Sequence, residues 1–134
     1  MAKTFKLKLL TLDKLIYDSE VKQVIIESED GKFEVLSNHA PSIISVIPCI
    51  TTIVDDLGNK RNLFTSNGIA NIINNTMTIC CDAAEFEEDI DFVRAKKSKE
   101  RAEKRLNKIN AYDIERANQS KIRAEIRIKL SKQS

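Results

Sequence analysis

Tryptophan is absent from this 134-residue chain, and aromatic residues supply only 5% of it. A hydrophobic core must therefore be assembled from Ile, Val and Leu, the other residues most often found inside. Glycine and proline are almost as scarce. The three glycines (Gly31, Gly58, Gly68) and two prolines (Pro41, Pro48) all precede residue 69. That distribution excludes a Gly-rich phosphate loop and leaves the second half without a helix breaker. One histidine, His39, has no Cys or His at finger-like spacing, so a zinc site or a His-dependent triad has no partners. His39 reads as a loop contact residue. Cysteines number three, which excludes a closed disulfide framework. Cys80 and Cys81 are adjacent, and neighbours on a strand point to opposite faces, which makes a joint metal site awkward. All three are expected to be buried, reduced thiols. No apolar run reaches the ~20 residues of a membrane span. Residues 1–7 lack the apolar stretch of a secretory signal, and the expectation is a soluble intracellular protein.

The formal charge is only +2 but is unevenly placed. Residues 1–84 carry 8 Lys/Arg against 10 Asp/Glu, net −2, and residues 85–134 carry 14 against 10, net +4. This shift places a boundary near Asp82–Glu88, with a first domain at 1–86 and a second at 87–134.

The first part reads as strands and turns. Phe5-Lys6-Leu7-Lys8-Leu9 alternates apolar and charged residues, as a half-buried strand does. Val21–Ile26, Lys32–Leu36, Ile43–Ile47, Ile50–Val54, Asn62–Thr65, Ile69–Ile73 and Thr76–Cys80 follow. They are separated by turn residues, among them Asp55-Asp56-Leu57-Gly58-Asn59 and the two-residue Asn74-Asn75. Short strands at this spacing predict an all-β sandwich or flattened barrel.

The second part is a tandem repeat with a 22-residue offset. Asp91/Asp113, Arg94/Arg116, Ala95/Ala117, Ser98/Ser120, Lys99/Lys121, Arg101/Arg123, Ala102/Ala124, Glu103/Glu125 and Arg105/Arg127 are identical pairs. Each copy opens with an Asp suited to a helix N-terminus and continues in strong helix formers. The thin apolar series is Ile90, Val93, Ala102, Leu106 and Ile109, then Ile114, Ala117, Ala124 and Ile128. Asn110 or Asp113 can cap a second helix. The prediction is an antiparallel two-helix hairpin, with one long helix as the alternative, and an α+β chain overall.

Three stretches carry a resemblance. Asp30-Gly31-Lys32-Phe33-Glu34-Val35-Leu36-Ser37-Asn38-His39-Ala40-Pro41, then Ser66-Asn67-Gly68-Ile69, then Ala84 through Ala95 with its Ile-Asp-x-x-Arg-Ala core occur in one order and spacing. Together they resemble the epsilon subunit of the bacterial rotary ATP synthase over essentially the whole chain. The resemblance implies a non-catalytic central-stalk subunit, peripheral on the cytoplasmic face of the bacterial membrane. It implies contact of the sandwich with the gamma subunit and the membrane c-ring through residues such as Gly31, Lys32, His39 and Pro41. It also implies a mobile hairpin that reaches the catalytic beta and alpha subunits when extended and inhibits ATP hydrolysis. ATP is the implied regulatory ligand, with no cofactor required, at Glu85, Ile90, Asp91, Arg94, Ala95, Arg101, Arg123 and Arg127. Arg forks suit phosphate oxygens, and Arg94 and Arg101 are expected to face Arg123 and Arg127 across the hairpin. Lys32 departs from the family, where an acidic residue is common. Asn67 and Asn71 depart around Gly68 and are expected to alter one edge of the sandwich.

The rival reading is a basic helical hairpin that binds nucleic acid. Ten acids interleaved with the fourteen bases, and only Phe86, Phe92 and Tyr112 for stacking, weigh against it.

Overall fold

The computed structural model describes residues 3–106 and 111–133, with side chains throughout except at 105–106, 111–117 and 132–133. Asn110 and Ile109 lie outside the described residues, as do the side chains of Asp113, Leu106, Ile114 and Ala117. The chain divides into two compact units, Met1–Phe86 and Glu87–Ser134.

The first unit is a nine-stranded sandwich: β1 (Phe5–Leu10), β2 (Leu15–Ser28), β3 (Gly31–Val35), β4 (Ser42–Val46), β5 (Cys49–Asp55), β6 (Lys60–Thr65), β7 (Gly68–Ile73), β8 (Thr76–Cys81) and β9 (Ala84–Phe86). Pairing runs β1-β8-β7-β4-β2-β5-β6-β9, with β3 on β2 and a further pairing of β1 with β2. The long β2 makes this possible. Its first half pairs β1 antiparallel (Lys6 with Glu20, Lys8 with Asp18), while Val24 meets Val35 of β3 on one side and Ile53 of β5 on the other. Ser28, its last residue, pairs Val46 of β4. Strand β2 thus belongs to both layers and closes β1, β8, β7 and β4 into a flattened barrel.

Alternation fills the interior. Phe5, Leu7 and Leu9 of β1 are buried, as are Val24 and Ile26, Leu63, Ala70 and Ile72, Met77 and Ile79. Each large apolar side chain removed from water in this way contributes roughly 1.5–3 kcal/mol. One polar cluster interrupts the core: Thr51 and Thr65 hydroxyls hydrogen-bond at 2.7 Å, and Cys49 Sγ lies 3.6 Å from each. Asn74 and Asn75 take φ of 51° and 58°, as a twisted two-residue hairpin turn requires.

Three expectations are corrected. Cys80 is exposed while Cys49 and Cys81 are buried, because on β8 Cys80 shares its face with Thr76 and Thr78, opposite Met77 and Ile79. Burial pushes the Cys81 thiol up to about 11, so it is a protonated core group at neutral pH. Asn71 is exposed on the face of a central strand rather than at an edge, since β7 has β4 on one side and β8 on the other. The strand read as Val21–Ile26 begins at Leu15.

The second unit holds a 3-10 turn (Glu87–Asp89), α1 (Phe92–Leu106) and α2 (Ala111–Gln133). Lys99 pairs with Glu125 and Lys121 with Glu103, each at 3.8 Å. As the α1 number rises by four the α2 number falls by four, so the helices are antiparallel; the single-long-helix alternative is not adopted. Ala95, Ala102 and Ala124 are buried together with Leu130. Small side chains let helix axes come near the short end of the usual 8–10 Å spacing.

Candidate functional site: a docking face and an anion pocket

On the sandwich, the four residues expected to contact partners fall into two places. Gly31 (φ 120°) and Lys32 are exposed at the β2–β3 turn. His39 and Pro41 lie beyond the far end of β3, which is ~13 Å long at 3.3 Å per residue. The His39 segment is held in place by one side chain. The Asn38 N–H donates to Asn75 Oδ1 at 2.7 Å, and Asn75 Nδ2 donates to the Thr4 carbonyl at 2.9 Å. Asn38 itself has φ of 60°, and His39 Nδ1 is 2.7 Å from the Ala40 carbonyl oxygen. The Asn-Asn turn therefore also fixes the loop that carries His39.

A feature not anticipated from the sequence is an apolar stripe on the outer face. Ile43 is 77% exposed, Ile69 53% and Ile73 50%. Ile43 pairs Asn71 in the β4–β7 ladder, so Ile69 and Ile73 are its two diagonal neighbours, ~7–8 Å away on the same face. Ile69 in turn pairs the exposed Cys80. The stripe is continuous across three strands. Reading Ile43–Ile47 as an apolar strand assigned neither of its faces; counting by two turns 43 and 45 outward.

In the helical unit the repeat motif has a structural use. Asp91 precedes α1 and its Oδ1 accepts the Arg94 N–H at 3.0 Å, while its carbonyl accepts the Ala95 N–H at 3.0 Å. Asp91 is the N-cap, bonded to the third helical residue. Asp91→Ala is expected to cost about 1 kcal/mol of helical-unit stability, read as a lower midpoint in thermal melting followed by far-UV circular dichroism. An unchanged midpoint would contradict the capping role.

Ile90 and Ala95 are buried, and Arg94 and Arg101 are exposed. Arg123 and Arg127 are half-buried on α2. The ion-pair register sets Arg101 level with Arg123 and Arg94 level with Leu130, two turns away. Glu85 belongs to the sandwich unit, on β9, where it is paired with Phe64. Near it, the Arg61 guanidinium lies 3.8 Å from the centre of the Phe86 ring, and Tyr17 approaches the same ring at 6.2 Å. Burial raises the Tyr17 hydroxyl above its usual range.

An open hollow of about 170 Å³ lies between the helices, lined by Ser98, Arg101, Ala102 and Ser120. It is smaller than the ~300 Å³ at which small-molecule pockets begin, and its size suits a phosphate group rather than a whole nucleotide. A guanidinium and two hydroxyls are donors suited to phosphate oxygens. Ser98 and Ser120 were not singled out in the sequence, although their identity across the repeat marked them. Among the described residues no group of His, Cys, Asp and Glu is arranged to hold a metal ion.

Comparison with known proteins accords with this architecture. Residues 4–98 match the family described as ATP synthase, Delta/Epsilon chain, beta-sandwich domain, and residues 88–132 match its long alpha-helix domain. An ATP synthase epsilon chain of Clostridium botulinum is 47% identical over 132 residues, covering 98% of each chain. One from Clostridium kluyveri is 41% identical, covering 98% of this chain and all of its own. Among solved structures, a chain of the Euglena gracilis mitochondrial ATP synthase superimposes with a TM-score of 0.82 at 20% identity, covering 98% of this chain and 82% of that one. The Tetrahymena thermophila mitochondrial enzyme's central stalk and c-ring structure gives 0.62 at 12%, covering 96% and 97%. Matched along its whole length, in both its sandwich and its helices, the chain belongs to the ATP synthase epsilon-chain family, as a non-catalytic subunit.

Proposed function

We propose that this chain is a central-stalk subunit that couples an ion-driven c-ring to ATP synthesis, with its sandwich docked on the gamma subunit and the ring. The hairpin is its regulatory part. Extended toward the catalytic beta and alpha subunits it inhibits ATP hydrolysis; folded, it binds ATP as a regulatory ligand. The chain sits peripherally at the cytoplasmic face of the membrane. No helix among the described residues is long and apolar enough to cross a membrane, which accords with that position.

The observation that carries the docking role is the stripe of Ile43, Ile69 and Ile73, apolar side chains left in water on an otherwise polar face. The nucleotide role draws on the hollow lined by Ser98, Arg101 and Ser120. The arginine set Arg94, Arg101, Arg123 and Arg127 would bear on the phosphates, and Glu85, Ile90, Asp91 and Ala95 complete the positions proposed for the site. Asp91 and Ala95 contribute through the helix start they build.

Two measurements test this reading. Calorimetric titration of the full chain with ATP is expected to show saturable binding that an Arg94→Ala, Arg123→Ala variant loses. No heat at millimolar ATP would remove the ligand role. Deletion of residues 88–134 is expected to raise ATP hydrolysis by the assembled complex several-fold. An unchanged rate, with and without ATP preincubation, would remove the inhibitory role.

A further inference from the structure

We propose that α2 is a self-recognising surface: released from α1, it pairs antiparallel with α2 of a second copy of this chain. The argument starts from the repeat. Shifting α1 by 22 residues turns Lys99 into Lys121, Ala102 into Ala124 and Glu103 into Glu125. The observed cross-helix pairs are Lys99–Glu125 and Glu103–Lys121. Under that shift each pair becomes the other with its partners exchanged, so the α1–α2 interface is related to itself by a pseudo-two-fold axis.

A helix that fits such an interface from one side fits it from the other. An α2 laid antiparallel on a second α2 meets the same charges that α1 offers. Lys121 finds Glu125 of the second copy, Glu125 finds its Lys121, and Ala124 lies between them. Within one chain Lys121 and Glu125 are already 3.8 Å apart, one turn from each other on a single face. The contact is isologous, as closed dimers require.

The positions where the copies differ decide which helix pairs with itself. Where α1 has Glu100 and Lys104, α2 has Ile122 and Ile126. Those two charges stay exposed beside the seam in α1, and two α1 helices would line its edge with them, whereas two α2 helices bring isoleucines there. Ile122 is 43% exposed, so apolar surface remains available. In the native chain the hairpin prevails, because a partner tethered by a short connection has an effective concentration of roughly millimolar. At micromolar concentration the wild type is therefore monomeric.

The test exchanges charges on α2 alone, in the full chain. Lys121→Glu with Glu125→Lys sets like charges against Lys99 and Glu103 but leaves α2 complementary to a second α2. Turning two favourable pairs into two repulsive ones shifts the balance about tenfold toward the dimer. Sedimentation velocity across 10–500 µM (roughly the range below that effective concentration) is expected to show this variant dimerising at concentrations where the wild type does not. Adding Lys99→Glu and Glu103→Lys restores hairpin complementarity and should return it to monomer. Adding Ile122→Asp to the double variant should dissolve the dimer. A double variant that stays monomeric overturns the proposal, whether its helices are intact or melted by circular dichroism. So does a dimer that survives Ile122→Asp, which would lie on another face such as the Ile43–Ile69 stripe.

Discussion

Gly68→Ala is expected to cost more than about 3 kcal/mol, enough to deplete the soluble fraction of the full chain. A methyl group at this position would stand 2.1 Å from the Cys80 carbonyl oxygen, 2.7 Å from Cys81 Cα and 2.8 Å from Cys81 Cβ. Two of the three atoms are backbone, so no rotamer change relieves the clash. Nor can either strand simply step aside. Gly68 pairs both Cys81 and Val46, so β7 is held between β8 and β4. The neighbouring links are tied as well: the Ser66 N–H donates to the Ala83 carbonyl at 2.9 Å, the Ala83 N–H donates to Ser66 Oγ at 2.7 Å, and the Asp82 N–H donates to the Asn67 carbonyl at 3.2 Å. Making room means breaking part of this ladder. Against a total stability of roughly 5–15 kcal/mol, that loss is a large share. The measurement is the urea midpoint at constant m-value, with Gly58→Ala as control. Gly58 has φ of 86°, and a methyl group there would meet only the end of the flexible Lys22 side chain at 4.0 Å, so its cost is only the ~1–2 kcal/mol of left-handed backbone strain. If the two variants unfold at the same urea concentration, the close approach at Gly68 does not matter.

What could be read in advance follows the kind of signal each feature leaves. Phe5-Lys6-Leu7-Lys8-Leu9 announced β1 because alternate burial writes itself into alternate residue type. Asn74-Asn75 announced its turn because few residues tolerate positive φ at two successive positions. The repeat announced the hairpin, and the Lys99–Glu125 and Glu103–Lys121 pairs give its antiparallel sense. The first half of β2 left no such mark. Tyr17-Asp18-Ser19-Glu20 is largely exposed and is held by backbone bonds to β1, which residue type does not encode. Strand β9 is three residues long, too short for any period. Cys80 misled and Ile43 passed unnoticed for a common reason: an apolar side chain looks the same in sequence whether it faces the core or water. The hollow at Ser98 and Ser120 was legible only as a coincidence within the repeat, since its shape depends on helix register.

Ile43→Glu with Ile69→Glu is expected to weaken binding of the full chain to the gamma subunit by roughly 100-fold. Two well-packed apolar residues at the centre of an interface commonly carry about 1–2 kcal/mol each, and each 1.4 kcal/mol is tenfold in affinity. Stability should barely change, because both side chains already point into water and substitutions at such positions usually fall within ±0.5 kcal/mol. That separation makes the experiment decisive: a loss of binding at unchanged melting temperature is a loss of contact, not of fold. Leu57→Glu serves as control, since Leu57 is 80% exposed at the β5–β6 turn, off the stripe. If the double variant binds gamma as tightly as the wild type, the stripe is not the docking face. The neighbourhood sharpens the expectation further. Ile43 stands opposite Asn71 and Ile69 opposite Ser45, so each isoleucine on the face has a small polar residue beside it. Such a surface presents apolar anchors with hydrogen-bonding groups between them, and a carboxylate placed on either anchor would be buried without a counter-charge from its own sheet.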